Sequence, residues 1–184
     1  MNDRHNQDTE LKPDIAADTV LYDNKYRIIS ELGSGGFGKV YLAHDAAGKQ
    51  VALKEIKKDL YTDEAYGQLK DYFRREIDIL KKFYHEHVIS INDAGLDPAM
   101  YIVMPYIEGS LSFSDWIKQG KSFTEEQIFD YSMQLLGGLK YIHSLDVIHR
   151  DMKPSNLLMD TKNNKLIIMD FGISKSFSIC RYFT

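Results

Sequence analysis

The eight residues from His149 to Asn156 constrain this chain more than any other segment. They place histidine, arginine, aspartate, lysine and asparagine close together shortly after a predicted apolar helix, which is hard to explain as a solvated loop. Phosphoryl transfer needs these residue types at this spacing. We predict that Asp151 accepts or orients the proton of an acceptor hydroxyl and that Asn156 holds a Mg²⁺ ion. Lys153 would offset the charge on the phosphoryl group in transit.

A second acidic residue follows a predicted buried strand. Asp170 begins the sequence Asp-Phe-Gly, 19 residues beyond Asp151. A turn of this composition after a strand is common and carries little information alone. Its place downstream of the 149–156 segment makes the pair informative, and we predict that Asp170 chelates Mg²⁺ at the phosphates.

A glycine cluster lies near the amino terminus, between two predicted strands. Its members are Gly33, Gly35, Gly36 and Gly38. Such a cluster also occurs in dinucleotide-binding folds, and Asp59 lies near where such a fold places a ribose-binding acid. That motif opens a helix, however, whereas the residues after Gly38 favour a strand and include Val40. A hairpin that approaches phosphates is therefore predicted, with a plain glycine-rich turn as the alternative.

Lys54 ends the strand sequence Val-Ala-Leu-Lys, 16 residues after Gly38. A lysine in this position is usually a solvated edge charge. On a third strand it would instead lie beneath the glycine hairpin and face the α and β phosphates. A buried ammonium needs an acidic partner, and Glu76 in the following helix is the candidate. The alternative for Glu76 is a surface charge pair within its own helix.

The pattern of elements predicts an α+β fold, with a sheet-rich first part and a helical second part. Strands are predicted over residues 26–32, 39–43, 50–56, 87–94, 100–104, 147–148, 156–159 and 165–169. A helix over 63–83 buries one stripe, and a second helix to Ser144 opens with a capping box at 124–127. The stripes are Leu69, Phe73, Ile77 and Leu80, then Ile128, Tyr131, Leu135, Leu139 and Ile142. Close packing is expected to explain Gly137 and Gly138.

Composition narrows the function classes. The 184 residues carry a net charge of −4, so no basic excess points to nucleic acid or to an anionic membrane. One cysteine, Cys180, excludes an intrachain disulfide. Neither an apolar signal segment nor a membrane-length apolar run is found, so a soluble, cytoplasmic protein is expected.

These motifs, in this order, resemble the eukaryotic-type (Hanks-type) Ser/Thr protein kinases from about residue 26 to residue 176. Lysine two residues after Asp151 resembles the Ser/Thr rather than the tyrosine kinases. The resemblance implies a bilobal kinase fold, with a β-rich N-lobe that contains one long helix and an incomplete helical C-lobe. It implies ATP and Mg²⁺ as cofactors and a protein with a Ser or Thr acceptor as substrate. The expected boundaries are a flexible tail 1–24, an N-lobe 25–104, a hinge 105–109 and a partial C-lobe 110–184.

The resemblance also implies residues for the adenine site. Met104 would be the gatekeeper, Pro105 would offer a carbonyl, and Ile107 would offer an N–H group. Apolar contacts with the adenine ring are implied for Val40, Ala52 and Leu158. Leu80, Ile91, His149 and Phe171 would form the stack of an assembled active state, and Arg150 would bind an activating phosphate.

The chain departs from the family pattern at its end. Twelve residues follow Gly172 without an A-P-E motif, so we expect a kinase truncated within the activation segment. The stripe of the second helix would then be exposed, which predicts partner binding or self-association through the C-lobe surface. The alternative to an active kinase is therefore an inactive module that binds nucleotide or a partner protein without catalysis.

Overall fold

The computed structural model describes residues 19–21, 24–35, 38–56, 62–97 and 99–170, without the side chains of residues 72, 75, 76 and 79. A six-stranded antiparallel sheet has the order β1-β2-β3-β4-β6-β5. Its strands are β1 (Val20–Leu21), β2 (Tyr26–Gly35), β3 (Gly38–Asp45), β4 (Gln50–Ile56), β5 (Asp93–Gly95) and β6 (Tyr101–Pro105). Helix α1 (Asp63–Leu80) connects β4 to the β5 region. A sheet with one long helix is what the sequence predicts for the first part of the chain, and the sheet is curled.

The second part has a small sheet and two helices. The sheet has the order β7-β8-β9, with β7 (Leu111–Ser112), β8 (Leu157–Asp160) and β9 (Lys165–Ile168). The helices are α2 (Phe113–Lys118) and α3 (Glu125–Ser144), and a 3₁₀ turn (Pro154–Asn156) precedes β8. The predicted capping box is confirmed at Thr124, whose hydroxyl accepts from the Gln127 N–H while its own N–H donates to the Gln127 side chain.

Two predicted strands are wrong. Of residues 87–94, only 93 and 94 are in a strand, because the backbone at 87–89 pairs with β9 instead of β6. The Ile168 N–H donates to His87 O at 2.9 Å, and the Ile89 N–H donates to Ile168 O at 2.9 Å. Residues 147–148 form no strand either, because the Val147 N–H donates to the end of α3 at Ile142 O. The N–H groups of Ile89 and Val147 thus already have partners other than those that the predicted strands require.

One hydrophobic core joins the large sheet, α1, α3 and the β8–β9 hairpin. The predicted stripe of α1 is confirmed, since all four of its members are at most 5% exposed. Full burial of each such side chain is worth about 1.5–3 kcal/mol. A second core covers the other face of the sheet and contains Tyr41, Leu53 and Val103.

The predicted stripe of α3 faces inward for most of its length. Tyr131 and Ile142 are buried, Leu135 and Leu139 pack against the core, and only Ile128, 54% exposed, contradicts the prediction. The expectation that this stripe is exposed is therefore wrong, because β9 covers it.

The two central glycines of α3 differ in their surroundings. A Cβ on Gly138 would lie 2.8 Å from Ile168 Cδ1 and 3.1 Å from His87 O, so the helix lies too close to β9 for a side chain. A Cβ on Gly137 would meet nothing within 4 Å. Close packing within the described chain therefore explains Gly138 but not Gly137.

Alanine substitutions at the two glycines should have opposite effects on stability. Gly138→Ala should lower the free energy of unfolding by about 1–3 kcal/mol through overpacking. Gly137→Ala should raise it by up to about 1 kcal/mol, because alanine is the better helix former. Urea unfolding of both variants beside wild type measures this, and equal effects would contradict the packing of α3 on β9.

Candidate active site

Four residues predicted to line the nucleotide site share one face of the large sheet. Val40 is paired with Lys54, and Ala52 with Met104. Directly paired residues and residues two apart on one strand point to the same side of a sheet. All four are partly exposed, whereas Tyr41, Leu53 and Val103 on the other face are buried. Pattern and register together make this face an open, apolar surface with one cation.

The glycine cluster forms the end of the β2–β3 hairpin. Gly33 is paired with Val40, and Gly35 with Gly38, so a β-hairpin follows the cluster rather than a helix, against the dinucleotide-binding alternative. A Cβ on Gly38 would lie 2.0 Å from Glu55 O, so the hairpin lies too close to β4 for any side chain there. Gly36 is outside the described residues.

Pro105 ends β6, and Ile107 lies in the segment that follows it. The Ile56 N–H donates to Met100 O, so Met100, Ile102 and Met104 direct their backbone groups toward β4. Pro105 therefore directs its carbonyl away from β4. The Ile107 carbonyl accepts from Ser110, through the hydroxyl at 2.7 Å and the N–H at 3.2 Å, which holds the segment in a turn.

Asp151, Lys153 and Asn156 form one polar cluster. Lys153 Nζ lies 2.9 Å from Asp151 Oδ2. The Asn156 side-chain nitrogen donates to Asp151 O at 2.8 Å and to Oδ2 at 3.2 Å. These bonds occupy the nitrogen of the Asn156 amide and direct its oxygen away from Asp151. An oxygen in this position can bind a cation.

The backbone of Met169 connects this loop to Asp170. The Met169 N–H donates to Asn156 O at 2.9 Å, and its carbonyl accepts from His149 Nε2 at 2.9 Å. His149 Nδ1 in turn accepts from the Asp151 N–H at 3.3 Å. The sequence does not reveal this role of Met169, since a backbone contact leaves no side-chain signature.

The carboxylate of Asp170 contacts the ammonium of Lys54. Lys54 thus meets an acidic partner, although the side chain of the predicted partner Glu76 is outside the described residues. Asp170 has φ of 58° and Arg150 has φ of 63°, a conformation uncommon outside glycine. Such strain concentrates at functional sites, where surrounding contacts maintain it.

Three more of the predicted residues are found at the hydrophobic core. Leu158, Leu80 and Ile91 belong to or pack against the core that joins the two sheets. Phe171 and Gly172 are outside the described residues.

The donor set suits a magnesium nucleotide better than a protein-only metal cage. Within the described ranges, no three His, Cys, Asp or Glu residues are grouped to hold a metal. Mg²⁺ is commonly bound by one or two protein oxygens together with substrate phosphates, and Asp170 and Asn156 can supply such oxygens.

None of the described helices has the length and hydropathy of a membrane span.

Burial lowers the pKa of His149 below its ordinary value of 6.5, against weaker opposing effects from the Met169 carbonyl and nearby carboxylates. The ring is therefore neutral at pH 7, with the proton on Nε2. Because the unfolded chain takes up this proton more readily, the stabilising contribution is present above pH 6.5 and is lost as the pH falls toward the folded-state pKa.

The free energy of unfolding should therefore fall between pH 7.5 and pH 5.5, by less in His149→Phe than in wild type. Denaturant unfolding at both pH values measures the difference. Burial also lowers the pKa of His85, but that histidine is common to both proteins and cancels in the comparison. An unchanged pH dependence in the variant would contradict a neutral, buried His149.

Comparison with known proteins identifies the family. The model of the protein kinase domain matches residues 26–182. A probable serine/threonine-protein kinase of Streptomyces coelicolor is 33% identical over 83% of this chain and 23% of its own length. Calcium/calmodulin-dependent protein kinase type 1B of Rattus norvegicus is 36% identical over 82% of this chain and 43% of its own length. The chain thus spans less than half of these relatives.

Solved structures agree with the fold. Rad53 1–466 in complex with AMP-PNP has a TM-score of 0.71 at 29% identity, over 82% of this chain and 39% of that one. The PknI kinase domain of Mycobacterium tuberculosis has a TM-score of 0.74 at 22% identity, over 87% and 62%, and supports the fold alone. The sequence motifs, the curled sheet and these matches lead to one conclusion: the chain belongs to the Ser/Thr protein kinase family.

Proposed function

We propose that this chain binds ATP with Mg²⁺ and transfers the γ-phosphoryl group to a Ser or Thr hydroxyl of a protein. The observation that carries the proposal is the linkage of Lys54, Asp170 and the 149–156 loop, through one salt bridge and the backbone of Met169. Groups from both parts of the fold thereby meet at one place, as phosphoryl transfer requires.

Each residue has a distinct part in this proposal. The adenine would pack between Val40 and Ala52 above and Leu158 below, beside Met104. The carbonyl of Pro105 and the N–H of Ile107 would recognise the ring edge. The backbone at Gly33, Gly35, Gly36 and Gly38 would approach the phosphates.

The charged residues would act on the phosphates and on the acceptor. Lys54, held by Glu76, would bind the α and β phosphates, and Asp170 and Asn156 would hold Mg²⁺, which neutralises phosphate charge when bound. Asp151 would take the proton of the acceptor hydroxyl as the hydroxyl oxygen bonds to the γ-phosphorus, while the bond from that phosphorus to the β–γ bridging oxygen breaks and ADP leaves. Lys153 would stabilise negative charge on the transferred group.

Nucleotide binding without transfer is the alternative. It is favoured by the exposure of apolar side chains around the catalytic loop, with Ile148 68% and Met152 40% exposed. A loop with uncovered flanks is less firmly positioned, and positioning supplies most of the catalysis in this chemistry. The two functions differ in whether Asp151 matters for product formation.

Mg-ATP should raise the melting temperature of the chain. At a ligand concentration of 100 times Kd, binding should add about 2.7 kcal/mol to the free energy of unfolding. Lys54→Met and Asp170→Ala should each abolish most of this shift, because the contacts to phosphate and Mg²⁺ are lost. Lys49→Met, an exposed lysine on the β3–β4 turn, is the matched control and should keep the shift. An equal shift in all four proteins would refute the proposed site.

Asp151→Asn should separate binding from transfer. The variant should retain the ATP-dependent shift, while phosphorylation of a generic protein substrate falls by about 10²–10⁴-fold. Radiolabel transfer from γ-labelled ATP measures the rate. If wild type shifts with ATP but transfers no label, the chain is the non-catalytic module.

A further inference from the structure

The face of α3 that points away from β9 carries a second apolar stripe. Phe129, Met133 and Leu136 are 66%, 55% and 59% exposed. Glu126 and Lys140, both exposed, continue the stripe at its two ends. These five residues, here called the outer stripe, lie on the side of the helix opposite to the buried Tyr131 and Ile142.

The spacing of the outer stripe indicates a partner helix. Successive members are three, four, three and four residues apart, the repeat of a two-helix seam. Apolar residues at this spacing pack into a helix that runs nearly parallel or antiparallel to their own. α3 has 20 residues, and so a length of about 30 Å, enough for such a seam.

Gly137 beside the outer stripe is a second indication. A glycine inside a helix costs about 1 kcal/mol relative to alanine, and nothing in the described chain lies close enough to require it. A glycine on an exposed helix face allows the backbone of another helix to approach closely.

The charges of the outer stripe favour a second copy of the same chain. Its amino-terminal end carries Glu125 and Glu126, and its carboxyl-terminal end carries Lys140. Neither Glu126 nor Lys140 has an ion-pair partner among the described residues. A parallel pair of α3 helices would place like charges together. An antiparallel pair brings each acidic end to a basic end.

We propose that the chain forms a homodimer through the outer stripe, with two antiparallel α3 helices about a twofold axis near Met133 and Leu136. Met133 packs against Leu136 of the second copy. Lys140 lies within about one helical turn of Glu126 of the second copy. The interface is isologous, so every contact occurs twice.

Charge reversal tests the antiparallel arrangement. Glu126→Lys and Lys140→Glu should each weaken the dimer by about tenfold, because two attractive pairs become repulsive. The double variant should recover wild-type affinity, since every pair is restored with its signs exchanged. Lys82→Glu, an exposed lysine just beyond α1, is the matched control and should leave the dimer unchanged. Sedimentation equilibrium across a wide range of protein concentration gives the dissociation constants.

Two further variants test the apolar contact. Met133→Glu should abolish the dimer while circular dichroism and the melt of the monomer stay intact. Gly137→Ala should stabilise the monomer yet weaken the dimer. A wild-type chain that stays monomeric at all concentrations overturns the proposal. In that case residues 171–184 or another protein would cover the outer stripe. A dimer that survives Met133→Glu, or single charge reversals without the expected weakening, also overturns it.

Discussion

The site depends on the hydrogen bonds at both backbone groups of Met169. Its N–H donates to the Asn156 carbonyl and its own carbonyl accepts from His149, so the residue before Asp170 is fixed to the loop that carries Asp151. Hydrogen bonds at both backbone groups of one residue leave it little freedom of rotation. These bonds therefore fix the backbone of Asp170 relative to the backbone of Asp151.

The same region supports the rest of the fold. The segment 87–89 pairs with Ile168 in β9, and Gly138 of α3 packs on that residue from another side. Strand β9 therefore contacts the segment that follows α1, helix α3 and its hairpin partner β8. The core is thus continuous across the two parts of the molecule, and the site lies at their junction.

Much of this could be predicted from the sequence, because the strongest signals are local. The β4 strand, the stripe of α1 and the capping box of α3 each arise from neighbours in the chain, and each was correctly predicted. The assignment of Val40, Ala52 and Lys54 to one face follows from strand periodicity once the register is known.

The error at residues 87–89 arises from pairing over a long sequence distance. Residues 87–89 have strand composition, but their partner is Ile168, and nothing local indicates that choice. The outer stripe of α3 was overlooked because the helix has two apolar stripes, and periodicity alone does not say which one the chain covers. The contact of Lys54 with Asp170 joins residues 116 apart and could not be read from spacing.

The pairing of Ile168 with residues 87–89 has a consequence for the order of folding. The buried stripe of α1 belongs to the same core as β9, so that core stays incomplete until the chain has been made through residue 168. Loop closure over this distance is slow compared with the formation of the β2–β3 hairpin. A nascent chain is therefore expected to leave part of the apolar side of its first helix uncovered while residues 81–168 are made, and such exposed surface favours aggregation.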